Sequence, residues 1–245
     1  MTKSNPIIIA LSGPSSSGKT TIASSLHNLF KDSILIHLDD FYRPEDQIPI
    51  DEIKNEQNWD CPEAVDFEKF TRYIEDIKEN GIPNSSKHQP ESLEGDVELK
   101  LSSADIDHFK QQIDTKLNTI REESNEPREI IFVEGFMLYH DPKIISLFDI
   151  KLFYFASFKV LKSRRESRKY NTDVGVWVDP PHYFQDIVWP EYEKYHKYLF
   201  ENQDVNHTLN EYAKNELVIT SYKNDEKSSL RELVDWTMNQ ILPRL

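Results

Sequence analysis

The stretch "PIIIALSGPSSSGKTTIASSLHNLF", residues 6–30, decides the fold of this chain. It starts with a short apolar run rich in β-branched residues, bounded by Pro6 and Gly13, which predicts a buried parallel strand. Apolar residues then recur at helical spacing up to Phe30. Between these two parts, "GPSSSGKT" (13–20) fits the pattern G-x-x-x-x-G-K-[ST]. The sequence therefore predicts a strand, a glycine-rich turn and a helix in direct succession.

This turn is predicted to bind the phosphates of a nucleotide, although the motif alone does not separate kinases from GTPases, ATPase motors or transporters. Its glycines let the backbone curl so that N–H groups face an anion, and the helix N-terminus adds positive partial charge. Lys19 is expected to reach the outer phosphates, and the Thr20 hydroxyl is expected to hold Mg²⁺. The plainer alternative is a Ser/Gly turn that caps a helix, but the strand before it and the helix after it favour phosphate binding. The predicted ATP-binding residues here are Gly13, Ser15, Ser16, Ser17, Gly18, Lys19, Thr20 and Thr21.

The rest of the chain alternates between strand and helix patterns, and no internal repeat is visible. This alternation predicts an α/β fold, an open parallel sheet of the P-loop NTPase type flanked by helices. Ser229 and Glu232 have the spacing of a capping box at the start of the closing helix. Further strands are predicted at 33–38, 129–136, 149–156 and 216–220, and further helices at 61–81 and 157–170.

Residues 82–128 differ in composition from the rest of the chain. They are polar, highly charged and poor in aromatic residues, with one helical pattern near Ile106 to Ile120. We interpret them as an insertion or mobile excursion within a single P-loop domain that spans 1–245.

Composition limits the classes of partner. The formal charge is −14, so the surface as a whole repels nucleic acids and anionic lipids, and an anionic ligand needs a local cationic pocket. Cys61 is the single cysteine, which fits a reducing compartment. Because no run approaches the roughly 18 apolar residues of a membrane span, we expect neither a nucleic acid nor a membrane partner. The expected location is the cytoplasm, with the nucleus as the alternative.

Acidic residues follow two of the predicted strands. "IHLDDFYRP" (36–44) places Asp39 and Asp40 after the second strand, and Glu134 ends the third. Ligands of such sheets gather at the carboxyl ends of the strands, so Asp39 and Glu134 are expected to share a crevice with the glycine turn. One carboxylate near the γ-phosphate is needed to take a hydroxyl proton. The alternative is that one of the aspartates only caps a turn before Pro44.

A basic segment, "KSRRESRKY" (162–170), stands out in this acidic chain. Arg164 and Arg168 are four residues apart and would share one helix face, while Arg165 is turned by about 100°. This spacing lets two guanidinium groups bind ATP phosphates while the third faces another ligand. The alternative is a solvated basic face.

Together with "NWDCPEA" (58–64), "EGF" (134–136) and "DPPHYFQDIVWPEY" (179–192), these segments resemble the nicotinamide riboside kinases. These enzymes lie within the wider P-loop uridine-kinase-like group. The matching segments are in family order and span most of the chain except 82–128. The resemblance implies transfer of the γ-phosphate of MgATP to the 5′-hydroxyl of nicotinamide riboside, and in some members of nicotinic acid riboside, for NAD biosynthesis.

The resemblance also implies residue roles. Asp39 matches the general base, Trp59 and Tyr170 match the aromatic walls around the pyridinium ring, and Asp60 with Arg165 matches the pair that holds the ribose hydroxyls. Arg164 and Arg168 match the lid arginines on ATP, and the resemblance implies a lid helix and a substrate loop at 157–190 of a single kinase domain. The implied catalytic residues are Asp39, Lys19 and Glu134, and the implied ligands of Mg²⁺ are Thr20, Asp39 and Glu134. The implied substrate-binding residues are Asp39, Asp40, Phe41, Tyr42, Trp59, Asp60, Arg165 and Tyr170.

Two other functions remain open at this stage. The first is the same chemistry on uridine, cytidine or another small hydroxyl compound. The second is a P-loop nucleotide switch without a small substrate, which predicts N-K-x-D, or D-x-x-G after a strand, and the sequence contains neither motif. The oligomeric state is left open between a monomer and a weak dimer.

Overall fold

The computed structural model describes residues 6–81, 101–124, 129–167, 170–172 and 175–245. Within these ranges, five strands form a parallel sheet in the order β2-β5-β1-β6-β9, as the sequence predicts for the fold class. The strands are β1 (Ile7–Ser12), β2 (Ile34–His37), β3 (Ile50–Asp51), β4 (Glu56–Gln57), β5 (Ile130–Gly135), β6 (Ile150–Phe155), β7 (Tyr170–Thr172), β8 (Gly175–Trp177) and β9 (Ile219–Lys223). The helices are α1 (Lys19–Leu29), α2 (Phe67–Asn80), α3 (Ser103–Ser124), α4 (Pro142–Ile145), α5 (Phe158–Glu166), α6 (Trp189–His196) and α7 (Leu230–Ile241).

Both faces of the large sheet are covered, which is why its strands are apolar almost throughout. In β1, Ile9 and Leu11 belong to an apolar cluster shared with α1, α3 and α7. Ile8 and Ala10 point the other way, into a cluster shared with α2 and α6. The alternation of side chains along the strand therefore assigns each residue to one of two cores.

The topology brings the candidate site together. Strand β5 lies between β1 and β2, and all three run parallel. Their carboxyl ends therefore meet at one edge, where the glycine turn follows β1 and a short 3₁₀ turn, Leu38–Phe41, follows β2. The capping box at the start of α7 is confirmed: Ser229 Oγ accepts from the Glu232 N–H at 3.2 Å, and Glu232 Oε2 accepts from the Ser229 N–H at 2.8 Å.

Several predicted boundaries are wrong. Helix α5 ends at Glu166 rather than at residue 170, because the following chain forms the antiparallel pair β7–β8. Strand β9 begins at Ile219 rather than at residue 216, because Tyr212–Glu216 forms a wide helical turn. Helix α2 begins at Phe67, since the Asp66 side chain caps it by accepting from the Lys69 N–H.

Helix α3 lies within the predicted insertion. Its Phe109 and Ile113 are buried in the same cluster as α1 and α7, and Arg231 of α7 donates to Asp105 at 2.6 Å. Residues 101–124 thus extend one face of the core, while residues 82–100 and 125–128 lie outside the described part of the chain. Across the described ranges, none of the helices combines the length and apolar character needed to cross a bilayer.

Candidate active site

Two positions of the turn after β1 can hold only glycine. Gly13 has φ +149°, and a Cβ there would lie 1.9 Å from the Tyr154 carbonyl oxygen. Gly18 has φ +96°, and its Cβ would lie 2.6 Å from Nδ2 of Asn224. The backbone can therefore take this curled path only without side chains at these two points.

The turn and the neighbouring helix α5 carry buried polar groups that are suited to binding an anion. Among the described residues, the Ser16 and Ser17 hydroxyls and Nη1 of Arg164 are buried without a hydrogen-bond partner. Such groups are costly unless a ligand or water satisfies them. Ser16 and Arg164 border a cavity of about 300 Å³ that runs from the turn to Leu230 and Leu233 of α7. A cavity with one polar, cationic end and one apolar end suits a nucleotide.

A hydrogen bond joins Thr20, after the turn that follows β1, to Glu134 near the end of β5. Thr20 Oγ1, in the first turn of α1, donates to Glu134 Oε2 at 3.2 Å. Burial favours the neutral acid, but the hydrogen bond from His37 and the charge of Lys19 outweigh it and lower the pKa of Glu134. The site therefore holds a buried carboxylate in its charged form beside the phosphate turn.

His37 is a site residue that the sequence analysis missed. It ends β2 opposite Glu134 of β5, and its Nδ1 lies 2.8 Å from Glu134 Oε1. Burial would lower the pKa of His37, but the hydrogen bond to Glu134 and the nearby charges of Asp40 and Asp39 raise it. The sequence did offer one signal for a role of His37 in the site, namely its position at a strand end two residues before Asp39.

Asp39 and Asp40 lie in different electrostatic environments. Burial and the charge of Glu134 raise the pKa of Asp40 against the opposing effect of His37. Burial, with a smaller contribution from the charge of Asp39, raises the pKa of Tyr42. Both side chains are exposed at the crevice edge, with Asp40 in electrostatic range of Glu134 and Asp39 in range of Tyr42.

Arg165 of α5 connects three parts of the site. It forms a two-pronged ion pair with Asp179, with Nε at 2.6 Å from Oδ2 and Nη2 at 3.1 Å from Oδ1. Its Nη1 donates to Ser15 Oγ at 2.6 Å, and its Nη2 lies 3.7 Å from Asp60 Oδ2. Burial and the charge of Asp179 raise the pKa of Asp60 despite this arginine. The sequence analysis named Arg165 and Asp60 but missed Asp179, although it quoted "DPP".

An aromatic wall stands next to this network. The Tyr42 hydroxyl donates to the Trp59 carbonyl at 3.0 Å, and the two rings are 5.4 Å apart edge to face. The backbone N–H of Trp59 donates to the Tyr183 hydroxyl at 3.1 Å. Asn58 stabilises the same loop, since its Oδ1 accepts a hydrogen bond from the Asp60 backbone N–H at 3.1 Å. The loop that carries Trp59 and Asp60 is therefore fixed by buried polar contacts.

Comparison with known proteins agrees with this geometry. The model of the phosphoribulokinase / uridine kinase family matches residues 8–209. Nicotinamide riboside kinase of Saccharomyces cerevisiae is 38% identical over 245 residues, which cover 99% of this chain and 98% of that protein. Nicotinamide riboside kinase of Schizosaccharomyces pombe is 36% identical over 241 residues, covering 98% and 97%. A uridine kinase of Clostridium botulinum is 29% identical over 168 residues, covering 68% and 70%.

The chain belongs to the phosphoribulokinase / uridine kinase family. It is a kinase with an alcohol group as the phosphate acceptor, and the prediction of enzyme class is confirmed. The predicted resemblance to nicotinamide riboside kinases is confirmed as well, because the similarity extends over nearly the whole length of two of them.

In this kinase, the two adjacent arginines of α5 face different regions. Arg164 lines the cavity beside the phosphate turn, and its Nη2 donates to the Asp225 carbonyl at 3.4 Å. Arg165 points toward Asp60 and Asp179. The partner predicted for Arg164, Arg168, lies outside the described residues, and α5 ends before it.

Two residues predicted to bind substrate are placed differently from the others. Phe41 is buried in the core, with its ring 5.2 Å from that of Phe70, so it supports the turn from behind. Tyr170 begins β7, where its backbone pairs with Trp177, and its side chain lies outside what the structure describes.

Asn224 supports the phosphate turn and was not predicted from the sequence. It follows β9, is buried, and donates from Nδ2 to the Ser17 carbonyl at 2.8 Å. Asn224 holds the turn at Ser17, and Arg165 contacts it at Ser15. A single Asn after a strand carries no motif, and sequence reasoning had no signal for it.

The donor set near the turn fits Mg²⁺. Within the described ranges, no group of three or more His, Cys, Asp or Glu side chains has the arrangement of a metal site. Mg²⁺ does not need such a group, because it keeps several waters and takes one or two carboxylates plus phosphate oxygens. The hydroxyl of Thr20 beside the charged carboxylate of Glu134 supplies oxygen ligands of this kind.

Proposed function

We propose that this kinase transfers the γ-phosphoryl group of MgATP to the 5′-hydroxyl of nicotinamide riboside, which gives nicotinamide mononucleotide for NAD biosynthesis. One observation carries the proposal: the Arg165 guanidinium contacts Ser15 of the phosphate turn and lies 3.7 Å from Asp60. Arg165 would thus contact both a ribose held by Asp60 and the turn that holds the ATP phosphates. The names and near-complete coverage of the yeast relatives support the same substrate.

The nucleotide is expected in the cavity between the turn and α7. Lys19 and Arg164 border that cavity and would neutralise charge on the phosphates. Thr20, Glu134 and Asp39 would hold Mg²⁺, which when bound neutralises phosphate charge and orients the β- and γ-phosphates. The buried hydroxyls of Ser16 and Ser17 would donate to phosphate oxygens.

On the acceptor side, Asp39 would orient the 5′-hydroxyl and take its proton as the new oxygen–phosphorus bond forms and ADP leaves. Asp60 and Arg165 would hold the ribose hydroxyls. Trp59 would face the pyridinium ring, because a cation over an indole face gains about 0.5–2 kcal/mol. These buried and aromatic walls also limit the access of water to the phosphoryl group.

The proposed location is the cytoplasm. Cys61 is the one cysteine of the chain, so no intrachain disulfide is possible, and a reducing compartment is suitable.

A coupled assay of ADP release tests the substrate. The protein is supplied with MgATP and, in separate reactions, nicotinamide riboside, nicotinic acid riboside, uridine or cytidine. We expect the highest kcat/KM with nicotinamide riboside. A higher kcat/KM with uridine or cytidine would assign the chain to the uridine kinases of the family instead, and ADP release that ignores all four would indicate a nucleotide switch.

A further inference from the structure

His37 and Glu134 form a short polar contact where β2 and β5 end. They are neighbours in the parallel register of β2 and β5, so their side chains leave the sheet on the same face. His37 Nδ1 lies 2.8 Å from Glu134 Oε1, and the side chains are 16% and 4% exposed. This places an imidazole N–H beside a carboxylate that is almost excluded from water.

The two oxygens of Glu134 have different partners. Oε1 faces His37, and Oε2 accepts from Thr20 Oγ1 at 3.2 Å. The last torsion of a glutamate is broad, so its carboxylate plane is set by these partners rather than by a rotamer preference. The shorter contact, to His37, therefore does most to determine which oxygen faces Thr20.

His37 is also linked to the turn that follows it. The charges of Asp40 and Asp39 both act on its ring. His37 thus contacts the carboxylate at the end of β5 and lies within electrostatic range of the two carboxylates that follow β2. A role in arranging these carboxylates follows more directly from this placement than a role in packing.

We propose that His37 is a positioning residue that holds the plane of the Glu134 carboxylate so that Oε2 faces Thr20 and the proposed Mg²⁺ position. His37 acts through Glu134 and does not touch the nucleotide or the nucleoside. The inference rests on the proposed function, because it assumes that Thr20 and Glu134 hold the metal of MgATP.

The test compares His37→Asn with His37→Gln. The amide nitrogen of Asn can replace Nδ1, whereas that of Gln replaces Nε2, so only Asn keeps a donor next to Glu134. Titration calorimetry measures the affinity of each variant for a non-hydrolysable ATP analogue, once with Mg²⁺ and once with EDTA. Thermal unfolding of each variant without ligand checks that the fold is retained.

We expect His37→Gln and His37→Ala to weaken binding of the magnesium complex about 10–100-fold, the usual effect of removing a partner of a metal ligand. Binding in EDTA should change less than about twofold, and His37→Asn should recover most of the loss. In a Glu134→Gln background, the His37 changes should have little further effect, because the carboxylate that they orient is gone.

Several outcomes would overturn the inference. Equal affinities of the Asn and Gln variants, or equal losses with Mg²⁺ and with EDTA, would leave His37 with a packing role only. Wild-type protein that binds the analogue equally well with and without Mg²⁺ would overturn this inference and also the metal part of the proposed function. A wild type that needs Mg²⁺ while His37→Gln binds normally would overturn the role of His37 alone.

Discussion

Arg165 donates a hydrogen bond from Nη1 to the hydroxyl of Ser15 at 2.6 Å, across 150 residues of sequence. The same guanidinium is held by Asp179 and lies 3.7 Å from Asp60. An arginine of α5 therefore stands between the phosphate turn and the loop proposed to bind ribose. Changes at this residue should separate the two substrates.

Replacement of Arg165 by alanine should raise the KM for the nucleoside about 10–100-fold, since hydrogen bonds to charged groups contribute about 1.5–3 kcal/mol. The KM for ATP should rise less, because Ser15 is one of many groups around the phosphates. Arg165→Lys should restore little, because lysine cannot form the two-pronged pair with Asp179. Steady-state kinetics with each substrate varied in turn measures this, and the reverse ranking would place Arg165 in the ATP site.

Replacement of Asp39 by alanine should reduce kcat at saturating MgATP by about 10²–10⁴-fold, the usual contribution of a general base, and should also weaken MgATP binding because Asp39 is a proposed ligand of Mg²⁺. Asp40→Ala is the matched control. Asp40 is the adjacent exposed aspartate and is in electrostatic range of Glu134, but it is not the proposed base. Its loss of kcat should be much smaller. Near-normal turnover of the Asp39 variant would remove this residue from the role of base.

Replacement of Trp59 by alanine should raise the KM for nicotinamide riboside by about 2- to 30-fold, which corresponds to the cation–π energy of 0.5–2 kcal/mol. Trp59→Tyr keeps an aromatic face and should lose less. Binding of uridine, which is neutral, should respond less than that of the cationic riboside. An equal effect on both nucleosides would mean that Trp59 contributes shape and not charge recognition.

Replacement of Asn224 by alanine should raise the KM for ATP and leave the nucleoside KM nearly unchanged. The change removes the donor to the Ser17 carbonyl, and an unsatisfied buried group costs about 1–3 kcal/mol. Ser228→Ala, on the same border of the cavity, is a suitable control because its side chain makes no contact with that carbonyl in the described structure. A selective rise in the nucleoside KM would contradict this role of Asn224.

His196 should make the fold sensitive to acid. Burial lowers its pKa to about 3 from the ordinary 6.5, and Nδ1 already donates to the Tyr192 carbonyl at 3.1 Å. Below pH 6.5 the unfolded chain therefore binds a proton that the folded chain does not, and stability falls with pH by at most about 1.4 kcal/mol per unit. Urea unfolding of wild type and His196→Phe at pH 7, 6 and 5 should show a smaller loss in the variant. Parallel losses would exclude His196 as a source of the effect.

Much of the fold could be read from the residues themselves. The apolar strands, the glycine turn and the capping box at Ser229 and Glu232 depend on near neighbours in sequence, and each was predicted in the right place. The errors are at boundaries such as Glu166 and Ile219, where pairing with another segment or a wide turn competes with local preference.

For the site, the sequence predicted that the turn at 13–20 and the strand-end residues Asp39 and Glu134 share one crevice. Thr20 of the turn does contact Glu134, whereas the role of Asp39 stays a prediction. The parallel order of β2, β5 and β1 explains the contact between Thr20 and Glu134, since strand ends in such a sheet meet at one edge.

The sequence by itself determined the class of fold and the place of the glycine turn, because those depend on glycine conformations and on periodic burial. Only the tertiary structure decided that His37 holds Glu134, that Asp179 holds Arg165, and that Asn224 supports the turn. Each of these pairs joins segments that are distant along the chain or on different strands. The sequence pattern around such a residue is ordinary, and only the packing of the whole chain determines its partner.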